Sequence, residues 1–328
     1  MKPRILVTRA NFPEVLAHLA ARFELEDNQG DTPFPPDELR ARLADKDGAL
    51  ITGFDRIDAP LLAACPRLRA ACNIAVGYNN MDLAACTACG VVATNTPDVL
   101  NETTADLAFA LLMAAARRVT ESERWLRGGH WRGWQVDQLL GQDVHHATLG
   151  IVGMGRIGQA IARRGRGFDM RILYNNRSRV APEVERALDA RRVDLLDLLR
   201  ESDFVCLVLP YTPESHHLIG AHELALMKPT GVLVNVARGG IVDDAALIAA
   251  LAGRRIAAAG LDVYEGEPAL NRGFLALDNV ALTPHIGSAS RATRLAMGMT
   301  AAGNLIAALA GERPPNLLNP DVWERRRR

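Results

Sequence analysis

A chain of 328 residues is long enough for two domains, and 48% hydrophobic with 23% charged residues is ordinary globular composition. Lys plus Arg equals Asp plus Glu at 38 each, so no overall field draws the chain to nucleic acid or a membrane, and small molecules are the expected partners. Five cysteines, no secretory pattern at the N-terminus and no apolar run of about 18 residues point to reduced cytoplasm and exclude a membrane-spanning helix.

Lys2 to Thr8 (KPRILVT) reads as a buried strand and Pro13 to Phe23 as an amphipathic helix, which opens a βαβ rhythm. Helices at 36–44 and 60–65 and strands at 49–52 and 68–74 continue it, so the first hundred residues form an α/β unit of their own. Ligands of open α/β sheets collect beyond the carboxyl strand ends, which makes the loop Val76-Gly77-Tyr78-Asn79 a candidate substrate contact. Cys86 and Cys89 form a C-x-x-C inside a short helix stopped by Gly90; no second pair follows at zinc-ribbon spacing, so the pair is read as structural.

After a short strand at 91–95, a long helix is expected from Asn101 through Val119, bridging the domains. Trp125, Trp131 and Trp134 sit in or beside a Gly-rich segment at 128–141, and aromatics in an irregular stretch suit an interface between two copies. Leu149 to Val152 then reads as a buried parallel strand, with Gly153, Gly155 and Gly158 following at G-x-G-x-x-G spacing and a helix beginning at once. Strand, glycine turn and helix in that order make a dinucleotide site: the glycines allow the turn, the approach of a pyrophosphate and close helix packing. The next strand, 170–174, ends where an acid grips the ribose of NAD, yet the residues there are Asn175, Asn176, Arg177, Ser178 and Arg179. Guanidiniums match a phosphate, so NADP(H) is expected over NAD(H), which stays possible.

Strands at 202–210, 231–237, 257–263 and 280–282 follow, with Thr212 just past the first. Arg238, Glu267 and His285 lie just past the other three, positions that converge on one crevice. Beside a nicotinamide this set suits hydride transfer to the carbonyl of a 2-oxo acid. Arg238 offers a planar fork for the carboxylate and carbonyl, His285 gives a proton to the oxygen, and Glu267 keeps the imidazole oriented and protonated. The remaining histidines, including His145-His146 and His216-His217, lack metal-ligand spacing with acids or cysteines, so no metal is expected. The terminal arginines from Arg325 read as a solvated, disordered end.

The stretches VGMGRIG, NVARGGIVDDAALIAAL, AAGLDVYEGEP and TPHIGSAS resemble the D-isomer-specific 2-hydroxyacid dehydrogenase family over nearly the whole chain. Within it, GQDVHHATLGIVGMGRIG, ILYNNRSR and ESDFVCLVLPYTPESHHLIG resemble the NADPH-preferring bacterial reductases of glyoxylate, hydroxypyruvate and 2-ketogluconate. The resemblance implies two Rossmann-like or flavodoxin-like domains, each a doubly wound parallel sheet, with a cleft between them. Residues 1–100 and 291–328 would form the substrate domain and 101–290 the nucleotide domain. It implies Arg238 as the substrate-binding arginine, Glu267 as partner of His285 and His285 as acid/base, with substrate contacts from the backbone of Val76 and Gly77. Cofactor contacts are implied for Thr104, Ile157, Thr212, Ala237 and Asp262, and the fingerprint and its surroundings add Arg156 and Gly287. A homodimer is the usual assembly. A 3-phosphoglycerate dehydrogenase and a nucleotide-sensing corepressor are the alternatives, the first normally keeping the acid that selects NAD.

Overall fold

The computed structural model describes residues 2–327, which divide into two compact units. The first runs to Leu100 and resumes at Ala289; the second is Asn101–Ser288.

In the first unit, β1 (Arg4–Val7), α1 (Pro13–Ala20), β2 (Glu24–Asp27), α2 (Pro36–Leu43), β3 (Gly48–Ile51), α3 (Ala59–Ala64), β4 (Ala70–Asn73), α4 (Leu83–Ala88) and β5 (Val92–Thr94) alternate along the chain. Their strands form one parallel sheet in the order β2-β1-β3-β4-β5, the flavodoxin-like order. β3 and β4 are buried along their full length, as apolar runs without alternation should be when helices cover both faces. β2 was not expected: its sequence, ELED, is charged because it closes the sheet edge, where one side of the strand meets solvent. Cys86 is buried on α4, and burial pushes its thiol up to about 12, so it stays protonated and unreactive.

The second unit opens with α5 (Asn101–Ala116) and α6 (Val119–Arg127). The helix expected to run through Val119 instead stops at Ala116, because Arg118 takes a left-handed backbone (φ 53°) and α6 starts afresh beyond it. Arg118 grips Glu121 with two hydrogen bonds, 2.7 and 2.6 Å, and this pair fixes the corner.

Then follow β6 (Thr148–Val152), α7 (Arg156–Arg166), β7 (Arg171–Asn175), α8 (Pro182–Leu188), β8 (Ala190–Arg192), α9 (Leu195–Glu201), β9 (Phe204–Leu207), α10 (Ala221–Leu226), β10 (Val232–Asn235), α11 (Asp244–Ala252), β11 (Ala258–Leu261) and β12 (Val280–Leu282). All seven strands are parallel, in the order β12-β11-β10-β9-β6-β7-β8. The strand order reverses between β6 and β9, the switch point where such sheets bind nucleotides. Leu149, Ile151, Val232 and Val234 bury one face against α5 and α7, while Val205, Leu207, Leu233 and Ala259 bury the other against α9, α10 and α11.

Back in the first unit, α12 (Arg291–Ala310) starts at Ser290, whose side chain accepts from Thr293 N–H, and lays Ala301, Ala302 and Leu305 on the five-stranded sheet. Of the terminal arginines, Arg326 and Arg327 are not a loose end, and Arg328 lies outside the described residues. Arg327 donates to the Cys65 and Leu68 carbonyls at 2.7 and 2.9 Å, and Arg326 stacks 3.8 Å over the Trp323 ring. These guanidiniums find carbonyls and a ring to satisfy them, which the run of like charge hides. No helix among the described residues is long and apolar enough to cross a membrane.

Candidate active site

The turn after β6 is built for close approach. Gly153 has φ 106°, and a Cβ there would lie 2.8 Å from the Val208 carbonyl; one on Gly158 would lie 2.2 Å from the Gly153 oxygen. Gly155, by contrast, faces open space and caps α7, whose first turn holds Arg156, Ile157 and Gly158 and no acid. An open glycine at the start of a helix whose first turn holds no acid fits the pyrophosphate of a dinucleotide, since the first N–H groups of a helix have no intrahelical acceptor.

At the end of β7 the two arginines differ. Arg179 is spent on Glu185, reached at 2.6–3.0 Å through Nε and Nη2, and Glu185 also accepts from the Tyr174 hydroxyl at 2.6 Å. The Arg179 guanidinium holds the Glu185 carboxyl below its usual range. Arg177 is exposed, and beside it Asn176 donates to the Ser178 carbonyl at 3.1 Å. A residue that sequence patterning missed braces this loop: Arg192, at the end of β8, donates to the carbonyls of Asn176 and Arg177 at 3.0 and 3.2 Å. Its edge strand, ARR, carries no apolar pattern that could have revealed it.

At the end of β10, Asn235 shapes the turn. Its side chain accepts from Ala237 N–H at 3.0 Å and donates to the Arg238 carbonyl at 3.2 Å. Gly239 then packs so tightly on the Tyr264–Glu265 backbone that a Cβ would fall 1.7 Å from the Tyr264 oxygen. Burial pulls the Arg238 guanidinium below its ordinary range, and the charge of Glu267 opposes that pull. A part-buried cation of this kind gains from an anionic ligand.

Past β11 and β12 the site closes on itself. Glu267 accepts from Tyr264 N–H through Oε1 at 2.8 Å, and its Oε2 lies 2.7 Å from Nδ1 of His285. His285 sits in the left-handed region (φ 53°), a conformation uncommon outside glycine and enriched at functional sites. Asp262, only 2% exposed, holds the loop that carries it: Oδ1 accepts from Thr283 Oγ1 and Ile286 N–H, both at 2.7 Å, and Oδ2 from Gly287 N–H at 2.8 Å. Burial raises the Asp262 carboxyl above its ordinary value despite those donors. Thr104, on the first turn of α5, lies against Gly287. Thr212 caps a short turn with Ser215, its N–H donating to Ser215 Oγ at 2.7 Å.

In the first unit, buried Asn73 and Asn95 hold the loop after β4. Asn95 Nδ2 donates to the Val76 carbonyl at 2.8 Å, Asn73 Nδ2 to that of Gly77 at 2.9 Å, and Thr96 N–H to that of Ala75 at 2.9 Å. In a trans peptide the N–H points opposite to the preceding carbonyl, so pinning the Ala75 and Val76 oxygens turns the Val76 and Gly77 N–H groups the other way as a pair.

Comparison with known proteins bears on this geometry. The family model for the D-isomer specific 2-hydroxyacid dehydrogenase, NAD binding domain, matches residues 109–287. The glyoxylate reductase of Thermococcus onnurineus is 48% identical over 326 residues, covering 98% of this chain and 97% of that protein. Among solved structures, a D-isomer specific 2-hydroxyacid dehydrogenase from a Polaromonas species, so described provisionally, superposes with a TM-score of 0.90 at 37% identity, covering 97% and 100% of the two chains. The NADPH-dependent glyoxylate/hydroxypyruvate reductase of Sinorhizobium meliloti, solved with NADP and malonate, superposes with a TM-score of 0.87 at 35% identity, covering 100% and 99%.

Proposed function

The chain belongs to the D-isomer-specific 2-hydroxyacid dehydrogenase family and is an oxidoreductase that takes a nicotinamide cofactor, and from that premise we propose that it reduces small 2-oxo acids to D-2-hydroxy acids with NADPH. Glyoxylate, hydroxypyruvate and 2-ketogluconate are the expected substrates, and the first two are those named for its Sinorhizobium relative. The observation that carries the proposal is the 2.7 Å contact between His285 Nδ1 and Glu267.

A bound nicotinamide supplies the hydride. The protein supplies the rest. With Nδ1 donating to Glu267, the mobile proton resides on Nε2, and from there His285 delivers it to the oxygen as charge develops. Glu267 fixes the ring and is itself fixed by Tyr264 N–H. Arg238 binds the carboxylate of the substrate and polarises its carbonyl with a planar fork. In the first unit the outward N–H pair of Val76 and Gly77 is a substrate contact, and Thr104, Arg156, Ile157, Thr212, Ala237, Asp262 and Gly287 form the cofactor's surroundings together with the three fingerprint glycines.

Preference for NADPH rests on Arg177, with Asn176 and Ser178 as neutral donors and no acid among residues 175–179 to repel a 2′-phosphate. A homodimer rests on the exposed apolar residues after α6: Trp134 is 82% exposed, Val136 80%, Leu140 65% and Trp131 56%, more than a lone soluble surface carries in one short segment. The five free cysteines suit the cytoplasm.

His285→Asn tests the chemistry, since Asn tolerates the left-handed backbone and leaves the fold intact. Turnover should fall by about 10²- to 10⁴-fold, the usual share of a general acid, with cofactor binding retained. Near-normal turnover would remove His285 from the mechanism.

A further inference from the structure

In the sequence His216 and His217 have no acid or cysteine at metal-ligand spacing. The fold removes that objection. In an extended chain adjacent side chains point to opposite sides, but His217 is left-handed (φ 51°), a conformation held by its N–H donating to the Gly240 carbonyl at 2.7 Å. Both imidazoles therefore face the same way and stack, centroids 3.9 Å apart and planes within 23°. Glu265, 48 residues on in the chain, joins them: its Oε2 lies 3.2 Å from His217 Nε2. Tyr211 steadies the other ring, its hydroxyl 3.1 Å from His216 Nδ1.

We propose that His216, His217 and Glu265 form a binding site for one divalent transition-metal cation of the zinc class, separate from the Arg238, Glu267 and His285 set. Two imidazole nitrogens and one carboxylate are the donors zinc takes where a fourth position stays open, and this mix disfavours magnesium and calcium, which take oxygen. One donor atom from each residue lies within 4.8 Å of the others. Tetrahedral ligands about 2.0–2.1 Å from a zinc ion stand roughly 3.4 Å apart, a gap that rotation of these part-exposed side chains closes. His217 and Glu265 keep 37% and 44% of their side-chain surface, so the cation enters from solvent without unfolding. A cation here clamps the turn that runs from Glu265 to Glu267, since Tyr264 N–H already anchors Glu267.

The test is calorimetric titration of the chelator-treated full chain with Zn²⁺, repeated with Co²⁺ while the visible absorption of a tetrahedral site is followed. One saturable equivalent is expected. Glu265→Gln and His217→Asn, the latter chosen because Asn accepts the left-handed backbone, should each weaken it by about tenfold or more, while a control at His145 leaves it unchanged. Thermal midpoints without metal report whether each variant is folded. The proposal is overturned if no saturable equivalent appears, or if binding survives both substitutions in folded protein.

Discussion

Replacing Asp262 by Asn exchanges one carboxylate oxygen for an NH₂ group and breaks a count that the native loop satisfies. The carboxylate accepts three donors, Thr283 Oγ1 and Ile286 N–H on one oxygen and Gly287 N–H on the other. An amide has one oxygen. In one orientation its NH₂ faces Gly287 N–H, and in the other it faces Ile286 N–H, although it can then donate to Thr283. One buried or part-buried backbone N–H is orphaned either way, at a cost of up to about 1–3 kcal/mol. The loop either bears that cost or relieves it by moving, and His285 rides on the loop. The cost thus divides between unfolding free energy in urea and kcat/KM for a 2-oxo acid, and if all of it falls on activity the loss is roughly 5- to 150-fold. The pH dependence carries a sign. Because burial raises the folded carboxyl above its unfolded value, the native state holds that proton more tightly, and the stability this gives fades as pH rises above the ordinary carboxylate range. Asn has no such slope, so the wild-type advantage over the variant narrows from acid toward neutral pH. If stability, its pH dependence and kcat/KM all stay at wild-type values, Asp262 does not hold the loop.

Arg177→Ala should raise KM for NADPH by about tenfold or more and leave KM for NADH unchanged, the loss expected for a charge-assisted phosphate contact softened by exposure. Arg192→Ala should do the same more weakly, by loosening the carbonyls of Asn176 and Arg177; equal effects on both cofactors would make either residue merely structural. Trp134→Glu combined with Val136→Glu should convert a dimer to monomer in sedimentation equilibrium, and an unchanged mass would move the interface elsewhere.

The parts legible in the sequence share one physical trait, a local pattern with a local cause. Fully buried parallel strands such as LGIV and VLVN show as apolar runs, and the glycine turn shows because backbone approach tolerates no Cβ. What stayed hidden depends on distant partners. The charged edge strands β2 and β8 lack apolar patterning because only one side of each is paired. The break at Arg118 carries no glycine or asparagine to announce it. Arg327 reads as solvated until the Cys65 and Leu68 carbonyls are placed beside it. Within the site, Arg238, Glu267 and His285 could be named from their places after successive strands. Asn235, Asn73, Asn95 and Arg192 could not, since each acts by hydrogen bonding a backbone group that only the fold identifies.

The most direct measurement is the initial rate of the wild-type protein with glyoxylate and with hydroxypyruvate, each with NADPH and NADH at matched concentrations. Turnover with both acids, faster with NADPH, is the predicted result. No turnover with any of the four pairs would contradict the 2-oxo acid assignment, and faster turnover with NADH would contradict the role given to Arg177.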